Sequence, residues 1–321
     1  MGRLVNELTW SRSRDSMFRT CGRKYWYNYY GSWNGWDRDA DERTRRIYLL
    51  KKLKSRWMWA GTVVHDTIEE ALLGLRAGCL PPEEQAQEEA LRQLRDDYRS
   101  GRAGRWGRKG TTDLFELYYG EELPDEEWRA VRDKVAACLS AFYASPFPAE
   151  LAGIPRDAWL SVEGMESFDF EGTKVWVVPD VAWRRADGTV CIVDWKTGHW
   201  ADEPDPVQLA CYALFATLRW GATPDEVLTI EYNLGLAKGH ERRIDEARLV
   251  DVQQAMRASI AEMKAALRDP ARNVADEDAF PRTDDVAECV RCPFKSDCHG
   301  PQWRTLGPAQ DMELDLAVPR S

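Results

Sequence analysis

The chain has 321 residues, 44% of them hydrophobic and 31% charged, with a formal net charge of −10. That length suits one large or two ordinary domains, and the composition fits a soluble globular protein rather than a disordered or membrane one. No apolar run approaches the roughly 18 residues of a membrane span, and the polar, aromatic start from Met1 to Asn28 has no apolar signal core, so the expected compartment is the cytoplasm.

In chain order, residues 13–30 predict a helix rich in aromatics and 57–77 a second. In the second, Ile68, Leu72 and Leu75 recur at helical spacing and Gly78 follows as a stop. Pro81-Pro82 and then Glu83-Glu84 open a polar helix to about Ser100. The Gly- and Arg-rich stretch 101–110 is a loop by composition, and a helix over 125–145 ends before Pro146. The texture changes near residue 156. Segments 158–170, 173–184 and 189–195 are rich in Val, Trp and Phe, with turn residues between them, and predict adjacent strands. Pro204 and Pro206 precede a helix over 207–219. Strands over 227–236 and 240–244, an amphipathic helix over 246–268 and a weakly patterned tail over 301–321 follow.

A net charge of −10 alone argues against nucleic acid as partner. The charge is uneven, however. Residues 43–56 carry Arg43, Arg45, Arg46, Lys51, Lys52, Lys54 and Arg56 without an acid, and 99–109 carry Arg99, Arg102, Arg105, Arg108 and Lys109 without one. Each stretch is either a solvated face or a phosphate-binding patch, because local field outweighs the sum. Trp57, Trp59 and Trp106 lie in or beside these stretches. They either stack on unpaired bases or pack in the core. No phosphate-binding loop of the Gly-x-x-x-x-Gly-Lys-Ser/Thr type is present.

The stretch 173–198 carries the chemistry. Pro179-Asp180 lies on one strand, Asp194-Trp195-Lys196 on the next, and Ala186-Asp187-Gly188 between them is a turn signal. A three-residue loop over 186–188 pairs residues whose numbers total 374, as Asp180 and Asp194 do. Cross-strand partners share a face with Cβ atoms roughly 4.5–5.5 Å apart. Lys196 falls on that face by alternation, whereas a two-residue turn would put Asp180 on the other side. Carboxylates that close repel unless a cation sits between them. Oxygen ligands suit Mg²⁺ or Mn²⁺, which acidifies a bound water and neutralises charge on a phosphorane, and a lysine adds to that stabilisation. The run Val190-Cys191-Ile192-Val193 reads as a buried central strand, which argues against an edge hairpin with ordinary surface charges.

Pro179-Asp180, thirteen intervening residues and Asp194-Trp195-Lys196-Thr197-Gly198 resemble the PD-(D/E)XK nuclease superfamily, closest to the branch with Cas4 and the RecB- and AddB-type nuclease domains. Gly61-Thr62-Val63-Val64-His65 is similar to that branch's helical histidine motif, and Gln208-Leu209-Ala210-Cys211-Tyr212 to its Gln-x-x-x-Tyr motif. The resemblance implies an α/β restriction-endonuclease-like core, a central mixed sheet flanked by helices. It implies His65, Asp180, Asp194 and the Trp195 carbonyl as ligands of Mg²⁺ or Mn²⁺, and Lys196 as catalytic. Gln208 and Tyr212, four residues apart on one helix face, either orient Lys196 or touch phosphate as catalytic residues, or belong to an ordinary helix with Leu209, Tyr212 and Phe215 packed inward.

There are eight cysteines. In a reducing compartment, clustered thiols favour a metal over a disulfide. Cys289-x₂-Cys292-x₅-Cys298 is a strong metal signal, and His299 adjoins Cys298 too closely for easy joint ligation. Cys21 as the fourth ligand comes from the resemblance, whose iron–sulfur members place one cysteine before the nuclease core and three after it around a [4Fe–4S] cluster. Four thiolates also suit Zn²⁺. Cys79, Cys138, Cys191 and Cys211 lie in apolar contexts, as buried inert thiols do. The expected organisation is a single nuclease domain over 1–300, with a helical insertion over about 36–150 and a catalytic core over about 156–245. The resemblance leaves 78–150 uncovered. It implies a deoxyribonuclease, an exonuclease on single-stranded or end-bearing DNA in repair, recombination or CRISPR-type processing, with a helicase or CRISPR-type assembly as partner. The alternative is a DNA-end-binding adaptor subunit of such an assembly.

Overall fold

A computed structural model describes residues 4–198 and 205–306. In chain order the elements are β1 (Thr9–Trp10), α1 (Arg12–Thr20), α2 (Gly22–Trp26) with a π-helical turn over Tyr27–Gly31, α3 (Glu42–Lys51), α4 (Arg56–Arg76), α5 (Glu83–Arg102), α6 (Phe115–Tyr119), α7 (Asp125–Ala144) and α8 (Phe147–Ala152). Then come β2 (Trp159–Val162), β3 (Glu166–Phe170), β4 (Thr173–Val177), β5 (Val181–Arg184), β6 (Val190–Lys196), α9 (Pro206–Trp220), β7 (Val227–Asn233), β8 (Lys238–Arg243), α10 (Glu246–Ala265), α11 (Val286–Val290) and α12 (Lys295–His299). The chain divides into two compact units. One takes the described parts of Met1–Leu53, Asp169–Val175 and Gln254–Ser321; the other takes Lys54–Phe168 and Trp176–Gln253. No described helix is long and apolar enough to cross a membrane.

The second unit is built on a mixed five-stranded sheet in the order β2-β5-β6-β7-β8, in which β6 pairs antiparallel with β5 and parallel with β7. Val190 to Trp195 are buried along β6, as are all residues of β7, which is the pattern of strands covered on both faces. One face meets α4, α7 and α8. Trp195, 1% exposed, sits edge-on against Phe142, Phe147 and Tyr232 there. α4 contributes Trp59, Ala60, Val63, Val64, Ile68, Ala71 and Leu72 to the same core.

The strand readings over 158–170 and 173–184 need correction, since each segment holds two strands. The first breaks at Glu163, which has a positive φ of 44°, and at Gly164; the second breaks at Val178-Pro179-Asp180. Proline cannot donate to a ladder, and a left-handed residue turns the chain out of its pleat. As a result β2 and β5 join the five-stranded sheet, while β3 and β4 form a second sheet in the order β1-β4-β3.

In the first unit, β1 runs parallel to Lys174 and Val175 of β4. The Trp10 indole donates to Ser259 Oγ (2.9 Å), and that hydroxyl donates to the buried Asp15 carboxylate (2.7 Å). The continuous helix expected over 13–30 is also corrected. Cys21 is extended (φ −161°), and its sulfur accepts from the Lys24 amide (3.4 Å) as the cap of α2. Tyr25 and Tyr27 are each 1% exposed and pack on Phe280 and Phe294 respectively. Helices α3, α6 and α8 were not delimited individually within the helical insertion expected over about 36–150. Within the predicted tail, the 3₁₀ turn Gly300–Thr305 reaches residue 305, while 307–321, like Pro204, lie outside the described residues.

Candidate active site

The β5–β6 hairpin sets the register on which the site rests. Val181 faces Val193 and Arg184 faces Val190, so paired numbers total 374. One step further, Asp180 meets the level of Asp194. The turn explains the count. Gly188 takes φ +91°, a conformation that favours glycine. The Arg185 amide donates to the Thr189 carbonyl (2.8 Å), and Asp187 Oδ1 accepts from the Thr189 amide (2.9 Å). Asp180 Oδ2 in turn accepts a short hydrogen bond from the Trp195 amide, which fixes that carboxylate against β6.

Three atoms able to bind a metal converge beside this hairpin. His65, Glu163 and Asp180 each offer one, and all lie within 4.8 Å of one another. His65 Nδ1 is 3.1 Å from Glu163 Oε1 and 3.3 Å from Asp180 Oδ1. Glu163 is held in place because its amide donates to the Asp180 carbonyl (2.9 Å). Burial lowers the proton affinity of His65, but the hydrogen bonds and charges of Asp180 and Glu163 outweigh it and raise its pKa to about 10. Burial pushes the Asp180 carboxyl up to about 7; His65 opposes the rise, and the charges of Asp194 and Glu163 add to it. Buried acids that repel one another and hold a proton on a neighbouring imidazole form a donor set that a cation would relieve.

A hydrogen-bonded network completes the site. Asp194 Oδ1 accepts from Gln208 Nε2 (2.8 Å) and from the Tyr212 hydroxyl (3.0 Å). Lys196 Nζ lies 2.5 Å from Asp194 Oδ2 and donates to Gln208 Oε1 (3.1 Å). Asp194 Oδ2 is buried, and its close neighbour is the Lys196 ammonium. Burial disfavours the Lys196 ammonium, yet Asp194 holds its pKa above the usual lysine value. Burial and the two aspartates raise Tyr212 well above the ordinary tyrosine value, so its hydroxyl stays neutral. α9 presents Gln208 and Tyr212 one turn apart, and Asp205 starts the helix by accepting from the Val207 and Gln208 amides. α4 lies close against the end of β6, where a Cβ on Gly61 would stand 3.1 Å from Thr197 Oγ1.

Glu163 is the candidate ligand that sequence reasoning missed. Its one signal is Glu163-Gly164 interrupting an apolar run. For Trp195, the amide serves Asp180 while the side chain faces the core.

The basic residues are scattered. Arg43 pairs with Glu277 (2.9 Å) and Asp297 (3.1 Å), and Arg46 pairs with Asp297. Arg45 donates to the Arg38 and Ala40 carbonyls. Lys51 and Lys52 lie over the rings of Tyr29 and Tyr48, and Lys54 donates to Thr62 Oγ1 (2.8 Å). Arg105, Arg108 and Lys109 are exposed. Their loop is rooted by Asp97, which accepts from the Thr112 amide, and by Asp113, which accepts from the Gly107 amide. Trp59 is buried and donates to Asp97 (2.8 Å), Trp57 lies beside Arg56 and Lys134, and Trp106 packs edge-on against Tyr118.

In the first unit Cys21, Cys289, Cys292 and Cys298 line one cavity of about 340 Å³, part of it open to solvent, together with Lys24, Arg282 and Lys295. Burial pushes the Cys292 thiol up to about 12 and also raises Cys289 and Cys298. The wall is fixed by contacts of its own. Arg23 donates to the Phe280 carbonyl (3.0 Å) and Glu277 (2.9 Å), and the Tyr27 hydroxyl donates to Glu277 (2.9 Å). Cys138, Cys191 and Cys211 are buried and Cys79 is exposed.

The sequence model of the PD-(D/E)XK nuclease superfamily matches residues 9–299 of the chain. Among solved structures, the crystal structure of a protein named SSO0001 is similar, at 16% identity over 67% of this chain and 93% of its own, with a TM-score of 0.29. At that score the likeness carries no argument. No curated protein sequence matches the chain.

Proposed function

The chain belongs to the PD-(D/E)XK nuclease superfamily, and on that premise we propose that it is a Mg²⁺- or Mn²⁺-dependent deoxyribonuclease acting on single-stranded or end-bearing DNA. The observation that carries the reading is the convergence of His65, Glu163 and Asp180 within 4.8 Å, beside the buried Asp194 and its Lys196 partner. Two or more carboxylates with one imidazole suit Mn²⁺ and are acceptable for Mg²⁺. A cation held there supplies Lewis acidity to a phosphodiester and acidifies a water. The chain's own residues do the rest. Gln208 and Tyr212 fix one Asp194 oxygen, and the other pairs with the Lys196 ammonium. Gln208 also holds the Lys196 ammonium beside it. That ammonium stays charged and offers a donor to an oxygen on which negative charge grows. The cytoplasm and a helicase or CRISPR-type assembly remain the setting we propose.

The test is incubation of end-labelled single- and double-stranded DNA with Mn²⁺, wild type beside Lys196→Ala. Wild type is expected to cut and Lys196→Ala to be at least about a hundredfold slower. Equal cutting by both proteins, or cutting that survives chelation, rejects the reading.

For the cysteines we propose a [4Fe–4S] cluster held by Cys21, Cys289, Cys292 and Cys298. The donor set fits. Four thiols share one cavity among three cationic side chains, which suits a cluster whose thiolate complex is anionic. Four thiolates also suit Zn²⁺, and metal analysis separates the two. Anaerobically purified protein is expected to be brown, with about four irons per chain. A colourless protein with one zinc per chain rejects the cluster.

A further inference from the structure

We propose that Met58, Met165 and Val178 form an apolar rim that contacts the base faces of the strand being cut, so that the site selects unstacked, single-stranded nucleotides. The inference rests on the nuclease reading above and deepens it. These three side chains are 62%, 71% and 40% exposed. Single exposed apolar residues are ordinary on a protein surface, but the placement of these three is not scattered. Met165 follows Glu163 by two residues, and Val178 precedes Asp180 by two. Met58 precedes His65 by seven residues on α4. Seven residues fall about 20° short of two full turns and span about 10.5 Å of helix axis, so Met58, Gly61 and His65 share one stripe. That stripe meets β6's end at Gly61, against Thr197. Each of the three candidate ligand residues thus has an exposed apolar residue close to it in sequence, Met58 on α4 and Met165 and Val178 in the connections that carry Glu163 and Asp180, and the Val178 carbonyl lies 3.0 Å from the Tyr212 hydroxyl.

The chemistry of the site names the occupant. A phosphodiester held among those ligands carries a nucleoside on either side, so what lies next to the charged centre is a base. Thioether and branched alkyl groups gain little from phosphate. They gain from the flat face of a base of any sequence, and methionine's polarisable sulfur suits such contacts. A paired duplex hides those faces in its stack, whereas a single strand or frayed end presents them. The tryptophan between Trp57 and the metal-bearing stretch of α4 offers no such platform, since Trp59 is buried with its indole N–H on Asp97.

The test uses the full chain carrying Lys196→Ala to prevent turnover, with Mn²⁺ present. Fluorescence anisotropy measures binding of single-stranded DNA, duplex DNA and a series of single strands with one abasic site at successive positions. Adding Met58→Ala or Met165→Ala is expected to weaken single-strand binding about tenfold and duplex binding much less. The abasic strand that costs the parent protein affinity should cost the variants little more. An abasic penalty of the same size in parent and variants overturns the proposal, as does equal weakening for single strands and duplex. Melting curves verify that the variants fold, and Met58→Leu, which keeps an apolar contact, should stay within about threefold of the parent. Wild-type cleavage in Mn²⁺ is scored alongside. Its absence rejects the nuclease reading, whereas cleavage with an unchanged abasic penalty rejects only the rim.

Discussion

Replacing Glu163 with glutamine keeps the side chain's shape and removes its charge. Its carboxylate is 15% exposed, with one oxygen 3.1 Å from His65 Nδ1, and its charge adds to the upward push on Asp180. Without a metal, the substitution loses an attraction to the His65 cation and relieves a repulsion with Asp180. Two such opposing interactions, each about 4 kcal/mol at 4 Å in an effective dielectric of 20, leave a net change of about 1 kcal/mol or less in metal-free stability. With a metal the balance is one-sided. Removing even a hydrogen-bonding partner of a ligand costs about 10–100-fold in metal affinity, so removing a charged ligand costs at least about a hundredfold, or about 2.7 kcal/mol. Calorimetric titration with Mn²⁺ measures the affinity, and thermal melting in chelator measures the fold. Mn²⁺ affinity within threefold of wild type refutes the assignment of Glu163. A metal-free protein weakened by several kcal/mol instead makes the residue a structural clamp.

Proton competition gives a second expectation. His65 titrates near pH 10 in the metal-free protein against an ordinary 6.5, so its proton must leave before the ring can bind a cation. Mn²⁺ affinity should therefore climb about tenfold per pH unit between roughly pH 7 and 9, and a flat profile contradicts this. The stability that protonated His65 lends the metal-free fold is complete below pH 6.5 and fades as pH rises toward 10, so the gain in melting temperature on adding Mn²⁺ should grow over the same window. Gln208→Ala removes the 2.8 Å bond to Asp194 and the 3.1 Å bond to Lys196. Cleavage should fall about 10–100-fold with little change in melting temperature, as rate measurements at saturating Mn²⁺ will show. Cys292→Ser should abolish iron binding and lower the melting temperature of the purified protein, while iron content equal to wild type would remove Cys292 from the ligand set. Gly188→Ala forces a side chain onto φ +91° and should cost about 1 kcal/mol in denaturant unfolding, with no loss of Mn²⁺ affinity.

The hairpin was legible because few residues decide it. Ala186-Asp187-Gly188 left a three-residue and a two-residue turn open, the turn sets the register, and the observed register is that of the three-residue loop. The helices over 57–77 and 125–145 were equally plain, being long and periodic. What escaped was local backbone geometry. Glu163 sits at a positive φ, where a strand leaves one sheet and the chain enters another, and no apolar period marks such a point. Cys21 breaks a helix by turning its sulfur to cap the next, an event that helical periodicity conceals. Charge was misleading in another way. Arg43 and Arg46 share a basic run with Lys51 and Lys52, yet they are held by Glu277 and Asp297, more than 200 residues away in sequence.

Crystals soaked in Mn²⁺ and measured at a wavelength where manganese scatters anomalously test the central claim most directly. The account predicts one strong peak about 2.2 Å from donor atoms of His65, Glu163 and Asp180, with Asp194 turned toward it. A peak that binds elsewhere, or a site left empty at saturating Mn²⁺, contradicts it.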